Sequence, residues 1–188
     1  MNITENLHSS MTASMAMALA GGAMMPGARL VRALQNSRLV DRLNDTEISM
    51  LADLVTVVYL EAGDLVGELL QDPFREALLI LVDGDIEISA MVGDESVSLH
   101  LEVSGDLARI VSFAGGDMLH VSTKMTIRRD SCVLLLQRSR LESLLESHPS
   151  IVYGVMRNLV LHVHGVARRK NAEGEQLKNY FFGIQGRY

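Results

Sequence analysis

Between Val55 and Gln137 short apolar runs alternate with glycine-acid pairs, and this stretch limits what the chain can become. Gly63-Asp64 closes the first run and Asp83-Gly84-Asp85 the next, followed by Gly93-Asp94, Gly105-Asp106 and Gly115-Gly116-Asp117. Val97, Leu99, Leu101 and Val103 alternate with Ser98, His100, Glu102 and Ser104, the period of a strand with one buried face. Ile86, Ile88 and Ala90 repeat the pattern against Glu87 and Ser89. Ala77 to Val82 is a near-continuous apolar run, suited to a strand covered on both faces. Val57, Tyr59 and Leu65 suggest a first strand pair, and further short strands are expected at Leu107–Phe113, Met118–Ser122, Met125–Ile127 and Cys132–Leu136. Arg128-Arg129 reads as an exposed turn. Turn signals this closely spaced predict one antiparallel sandwich or barrel.

The flanks read as helix. Thr12 to Met25 can form one, weakened by Gly21-Gly22 and ended by Pro26-Gly27. Arg29 to Leu43 forms a second, with Leu30, Ala33 and Leu34 on its apolar face. Asn44-Asp45-Thr46-Glu47 has a polar cap and acids in the first turn, so a helix should begin there, with Ile48, Leu51, Ala52 and Val55 at helical spacing. After the strands, Ser139 opens a helix with Leu141, Leu144 and Leu145 inward, and His148-Pro149 breaks it. Ile151 to Arg169 is a long helix, for which Ser150 offers a cap. Its stripe of Val152, Val155, Met156, Leu159, Val163 and Val166 is either core packing or a seam between two subunits. The tail from Asn171 is polar, then aromatic at Tyr180, Phe181, Phe182 and Tyr188. It either folds back on its own domain or docks a partner. The expected organisation is a helical extension over 1–54, the β region over 55–137, C-terminal helices over 138–170 and a tail over 171–188.

Composition removes several function classes. A net charge of −6 argues against broad binding to a phosphate backbone, which needs clustered Lys and Arg. The single cysteine, Cys132, lies in an apolar run and reads as a buried thiol in a reducing, cytoplasmic setting. No apolar run reaches the ~18 residues that cross a bilayer. Residues 1–10 hold Glu5 and His8 but no Lys or Arg, so the Met/Ala-rich segment after them reads as an oligomerising or docking helix rather than a secretory leader. His100 and His120 sit on expected strands without a His-x-His pair before a Glu. His162 and His164, two apart on a helix, point to different faces. No metal site, cofactor or catalytic group is expected, and nothing argues for an enzyme.

The order and spacing of these segments resemble the cyclic-nucleotide-binding domain of the catabolite activator protein family. Leu51-Ala52 with Tyr59-Leu60-Glu61-Ala62-Gly63-Asp64 is similar to that family's lead-in to its β-roll. Leu78 through Asp83-Gly84-Asp85 to Ile88 is similar to its central hairpin, and Ser104-Gly105-Asp106 to the turn before its ligand site. Arg138 to Pro149 is similar to the helix after the roll. Gly63, Gly84 and Gly105 lie 21 residues apart each time. The resemblance covers about Leu39 to Arg169. It implies an antiparallel, jelly-roll-like β-roll with N-terminal helices and a long C-terminal helix that often pairs two subunits.

It also implies where a cyclic nucleotide would sit. Family members that bind one carry a Gly-Glu pair soon after the Gly-Asp turn and an arginine about ten residues on. Together these supply amides, a carboxylate for the ribose and a guanidinium for the phosphate. Here Arg109 and Ile110 stand at the Gly-Glu positions, and His120 and Ser122 in the arginine segment. The cassette is degenerate, and cAMP and cGMP are not expected to bind. A helix-turn-helix would need on the order of 60 residues after the long helix. Only 18 follow Lys170, so direct DNA binding is not expected either. The first expectation is an interaction module that pairs with itself or another protein through the Val152–Val166 stripe and through Tyr180, Phe181 and Phe182. The second is a sensor with a different ligand near Ile110, His120 and Ser122. The third is a regulatory subunit whose partner carries the active part.

Overall fold

A computed structural model describes residues 27–66, 74, 76–92, 95–115 and 123–185, with the side chains of 65–66, 90–92, 95–97, 123 and 169–185 outside the described set. Helix α1 (Gly27–Asn36) ends where Ser37 turns back, its amide and hydroxyl both donating to the Leu34 carbonyl at 3.0 and 2.7 Å. A 3-10 turn follows at Arg38–Val40, so the stretch to Leu43 is two pieces rather than one helix. Helix α2 (Asp45–Ala52) starts as its sequence predicts. Glu47 N donates to Asn44 Oδ1 and Asn44 N to Glu47 Oε2, each at 3.0 Å, a reciprocal cap that stabilises by ~1 kcal/mol.

The strands are β1 (Val55–Leu60), β2 (Leu65–Val66), β3 (Ala77–Val92), β4 (Glu95–Leu101), β5 (Leu107–Ala108) and β6 (Thr123–Gln137). They form one antiparallel sheet in the order β1-β6-β3-β4, with β2 added to β6 and β5 to β3. The mainly β architecture with flanking helices is as expected. Strands β3 and β6 are longer than the turn signals imply. Asp83-Gly84-Asp85 is not a turn but an irregularity inside β3, where the register against β6 shifts repeatedly. Gly84 takes φ +127°, and Ser131 Oγ accepts from the Asp85 amide at 3.1 Å where the ladder is interrupted. Arg128-Arg129 likewise lie within β6. The expected strand at Met118–Ser122 and the helix at Thr12–Met25 lie outside the described residues.

Alternation along β3 explains its composition. Leu78, Ile80 and Val82 face the helices, in one core with Cys132, Leu134 and Leu136 of β6 and with Leu34, Leu39, Leu51, Val155 and Leu159. Leu79 and Leu81 face the opposite core with Val58, Leu60, Phe74, Val133 and Leu135. Both strand faces are therefore dry, as the run Ala77–Val82 requires. Beyond Gly84 the alternation slips by one, and Ile86 and Ile88 take over the strand-lined core with Leu101, Met125 and Ile127.

Helix α3 (Ile110–Phe113) lies between β5 and β6, and after β6 come α4 (Arg138–Glu142) and α5 (Pro149–Gln185). Leu141 is buried and Leu144 half-buried, but Leu145 is exposed, against expectation. Helix α4 is only five residues long, too short to turn all three leucines inward. Pro149 opens α5, a position suited to proline because no amide partner is lost there. Ser150 does not cap it; its hydroxyl donates to Glu47 Oε1 at 3.4 Å. The helix continues well past Arg169, through most of the segment read as a tail.

Candidate functional site

The site begins at a turn welded to β3. Gly105 at φ +96° donates to the Leu81 carbonyl at 2.8 Å, and the Leu81 amide donates to the Asp106 carbonyl at 2.9 Å. Asp106 Oδ2 accepts from the amides of Glu102 and Val103 at 3.0 and 2.9 Å. This geometry fixes where β5 starts, and Leu107 and Ala108 pair with Ile80 and Leu79.

Sequence alternation predicts a strand over Leu107–Phe113, but the strand stops after two residues. Arg109 adopts a left-handed conformation, φ +64° and ψ +26°, and turns the chain into the single-turn helix α3. The Phe113 amide closes that turn on the Arg109 carbonyl at 3.0 Å, and the Phe113 ring is fully buried. No residue type announces this change, because non-glycine residues seldom take positive φ. The Arg109 side chain is half-buried. Its Nη2 donates to the Phe74 carbonyl at 3.0 Å and to Ser112 Oγ at 3.1 Å. Burial pushes its guanidinium pKa below the ordinary arginine value. Ile110 is half-buried and packs toward the helix-side core. Arg109 and Ile110 are thus brought together at one turn; His120 and Ser122 lie outside the described residues.

The expected seam on α5 divides. Val152, Val155 and Leu159 are buried in the chain's own core, and Met156 is half-buried there. Val166 is half-buried, and Val163 is 44% exposed. The outward apolar side chains are instead Tyr153, Val160, Leu161 and Val163. Sequence reasoning missed Asn158, a buried amide within the stripe. Its Nδ2 donates to the carbonyls of Leu39 at 2.9 Å and Asp41 at 2.8 Å, seating α5 on the 3-10 turn. The clue was one polar residue on an otherwise apolar face. Tyr180, Phe181 and Phe182 lie on the α5 backbone, with side chains outside the described residues. Cys132 is buried, and burial pushes the thiol up to about 11, so it is a poor nucleophile. No helix among the described residues is long and apolar enough to cross a membrane.

An antiparallel sheet with a strand-lined core, a Gly-Asp turn feeding a one-turn helix, and a long helix packed behind is the fold of a cyclic-nucleotide-binding domain. Solved structures of that kind are similar to this chain. A cyclic nucleotide-binding domain from Methylobacillus flagellatus matches with a TM-score of 0.60 at 13% identity, over 81% of this chain and 83% of that one. The catabolite activator protein of Thermus thermophilus matches at 0.56 and 20% identity, over 76% of this chain and 63% of that one. The regulatory subunit of a cAMP-independent protein kinase A from Trypanosoma brucei matches at 0.54 and 17% identity, over 81% and 51%. No family model matches the sequence, and no curated protein does so either.

Proposed function

We propose that this chain is a non-enzymatic module that has lost cAMP and cGMP binding and acts by pairing with itself or with another protein. The observation that carries the reading is Arg109. Where the resemblance places a Gly-Glu pair, the chain has a bulky cation in left-handed backbone, its guanidinium tied to Phe74 and Ser112. Over Arg109–Gly115 the described residues hold no carboxylate to take a ribose hydroxyl, and Asp106 before them accepts from the amides of Glu102 and Val103. The fold itself is compatible with such a role, since one similar structure is a kinase regulatory subunit described as cAMP-independent.

Thermal unfolding with cAMP or cGMP at up to about 1 mM should therefore leave the midpoint unchanged. A ligand at ~100 times its Kd would add about 2.7 kcal/mol of stability. A shift of that size would replace this reading with the sensor reading.

Self-association follows from α5. Tyr153, Val160 and Leu161 lie seven and eight residues apart, so they share the side away from the core, with Arg157 on the turn between them. A second copy of the same helix covers such a side by two-fold symmetry. Sedimentation should give twice 20.6 kDa for the natural chain and 20.6 kDa for the variant V160E/L161E. A natural chain that sediments as a monomer would remove self-pairing and leave a different protein as the partner.

A further inference from the structure

The outer face of the β3–β4 pair carries a second constellation, unrelated to the Arg109 turn. Ile86 pairs with Leu101 and Glu87 with His100, so the next step along the ladder places Asp85 across from Glu102. Ile86 and Leu101 are buried in the strand-lined core. Asp85, Glu87, His100 and Glu102 therefore share the opposite, solvent-facing side. One donor atom from each of Asp85, His100 and Glu102 lies within 4.8 Å of the others. Glu87 Oε1 lies 3.7 Å from His100 Nε2.

Charge and solvation at this spot are unbalanced. Three carboxylates crowd one imidazole, and the nearest guanidinium is committed. Arg128 Nε and Nη2 both donate to Glu87 Oε2, at 3.2 and 2.6 Å. Arg128 acts on Asp85 and Glu102 only through space, its hydrogen bonds going to Glu87. Asp85 Oδ1 is also shielded from solvent and has no hydrogen-bond partner among the described residues. A shielded carboxylate oxygen without a donor is costly, and like charges this close repel. A divalent cation relieves both.

We propose that Asp85, His100 and Glu102 bind one divalent transition-metal ion of the zinc type, with water in the remaining position. One imidazole and two carboxylates suit zinc, cobalt or nickel, whereas calcium and magnesium prefer all-oxygen sites. Glu87, held by Arg128, is the next carboxylate out, 3.7 Å from His100 Nε2. The bulge at Gly84 is what brings Asp85 onto this face, so the ligand set spans two strands and leaves no contiguous motif. It clips the edge strand β4 to β3.

The test is calorimetric titration of metal-stripped, full-length protein with zinc chloride, repeated with cobalt chloride and followed by its visible absorption. One equivalent should bind, and the variants H100A and D85N should each bind at least ~10-fold more weakly. All the replaced side chains are at the surface or half-buried, and circular dichroism checks that both variants keep the fold. Absence of binding at about 1 mM zinc, far above the Kd of a built site, overturns the proposal. So does unchanged affinity in H100A, which would assign the metal to other histidines.

Discussion

Replacing Gly84 with alanine should lower the thermal midpoint by roughly 10 °C. Gly84 sits at φ +127°, a conformation that side-chain-bearing residues rarely adopt. A Cβ there would fall 2.6 Å from the Ser131 Cα and closer still to the Ser131 side chain. Ser131 cannot retreat, because its hydroxyl accepts from the Asp85 amide and donates to the Arg129 carbonyl at 2.6 Å. Backbone strain and overpacking cost about 1–3 kcal/mol each, together about 4 kcal/mol against a total stability of about 5–15. At roughly 2–4 °C per kcal/mol for a chain of this size, that gives the stated shift. A midpoint within about 3 °C of the natural chain would show that the β3–β6 contact at this point is loose.

The second large effect is expected at Asn158. The variant N158D keeps the shape of the side chain but removes both N–H donors to the carbonyls of Leu39 and Asp41. A charged carboxylate would then face two carbonyl oxygens in a site where residue 158 is 3% exposed. Unsatisfied buried groups cost about 1–3 kcal/mol each, so a loss of about 3 kcal/mol is expected in denaturant unfolding. Hydrogen exchange should quicken in α5 and over Leu39–Leu43 while β3 and β6 stay protected. Uniform quickening across the sheet would mean that α5 is not separately seated and that the whole domain depends on this amide.

What the sequence makes legible is local and periodic. The Asn44–Glu47 cap can be read because its two hydrogen bonds join residues three apart. The double burial of Ala77–Val82 can be read because side-chain direction reverses at every residue. The alternation over Val97–Val103 misleads: Leu101 is buried, but Leu99 is 46% and Val103 67% exposed, and β4 ends at Leu101. The irregularity in β3 cannot: Asp83-Gly84-Asp85 has the composition of a turn, and only the partner strand decides that the chain runs on. The α5 stripe fails differently. Core packing and a subunit seam demand the same spacing, so Val152, Val155 and Leu159 could serve either until the N-terminal elements are placed against them. At the candidate site, Arg109 and Ile110 lie at the turn from β5 into α3, where alternation had suggested a continuing strand. The left-handed backbone and the inward guanidinium were illegible, since neither leaves a mark on residue type. The Asp85, His100 and Glu102 group was invisible because its members come from two strands brought into register by the irregularity.

Helix α5 is held near its start, by Ile151, Val152, Val155, Asn158 and Leu159. From Val160 to Gln185 it runs on for about 39 Å at about 1.5 Å per residue. The seat is the pair of carbonyls at Leu39 and Asp41. For a straight helix of that length, a tilt of about 5° at the seat corresponds to roughly 3 Å at the far end. The 3-10 turn thus sets the direction in which the helix leaves the sheet.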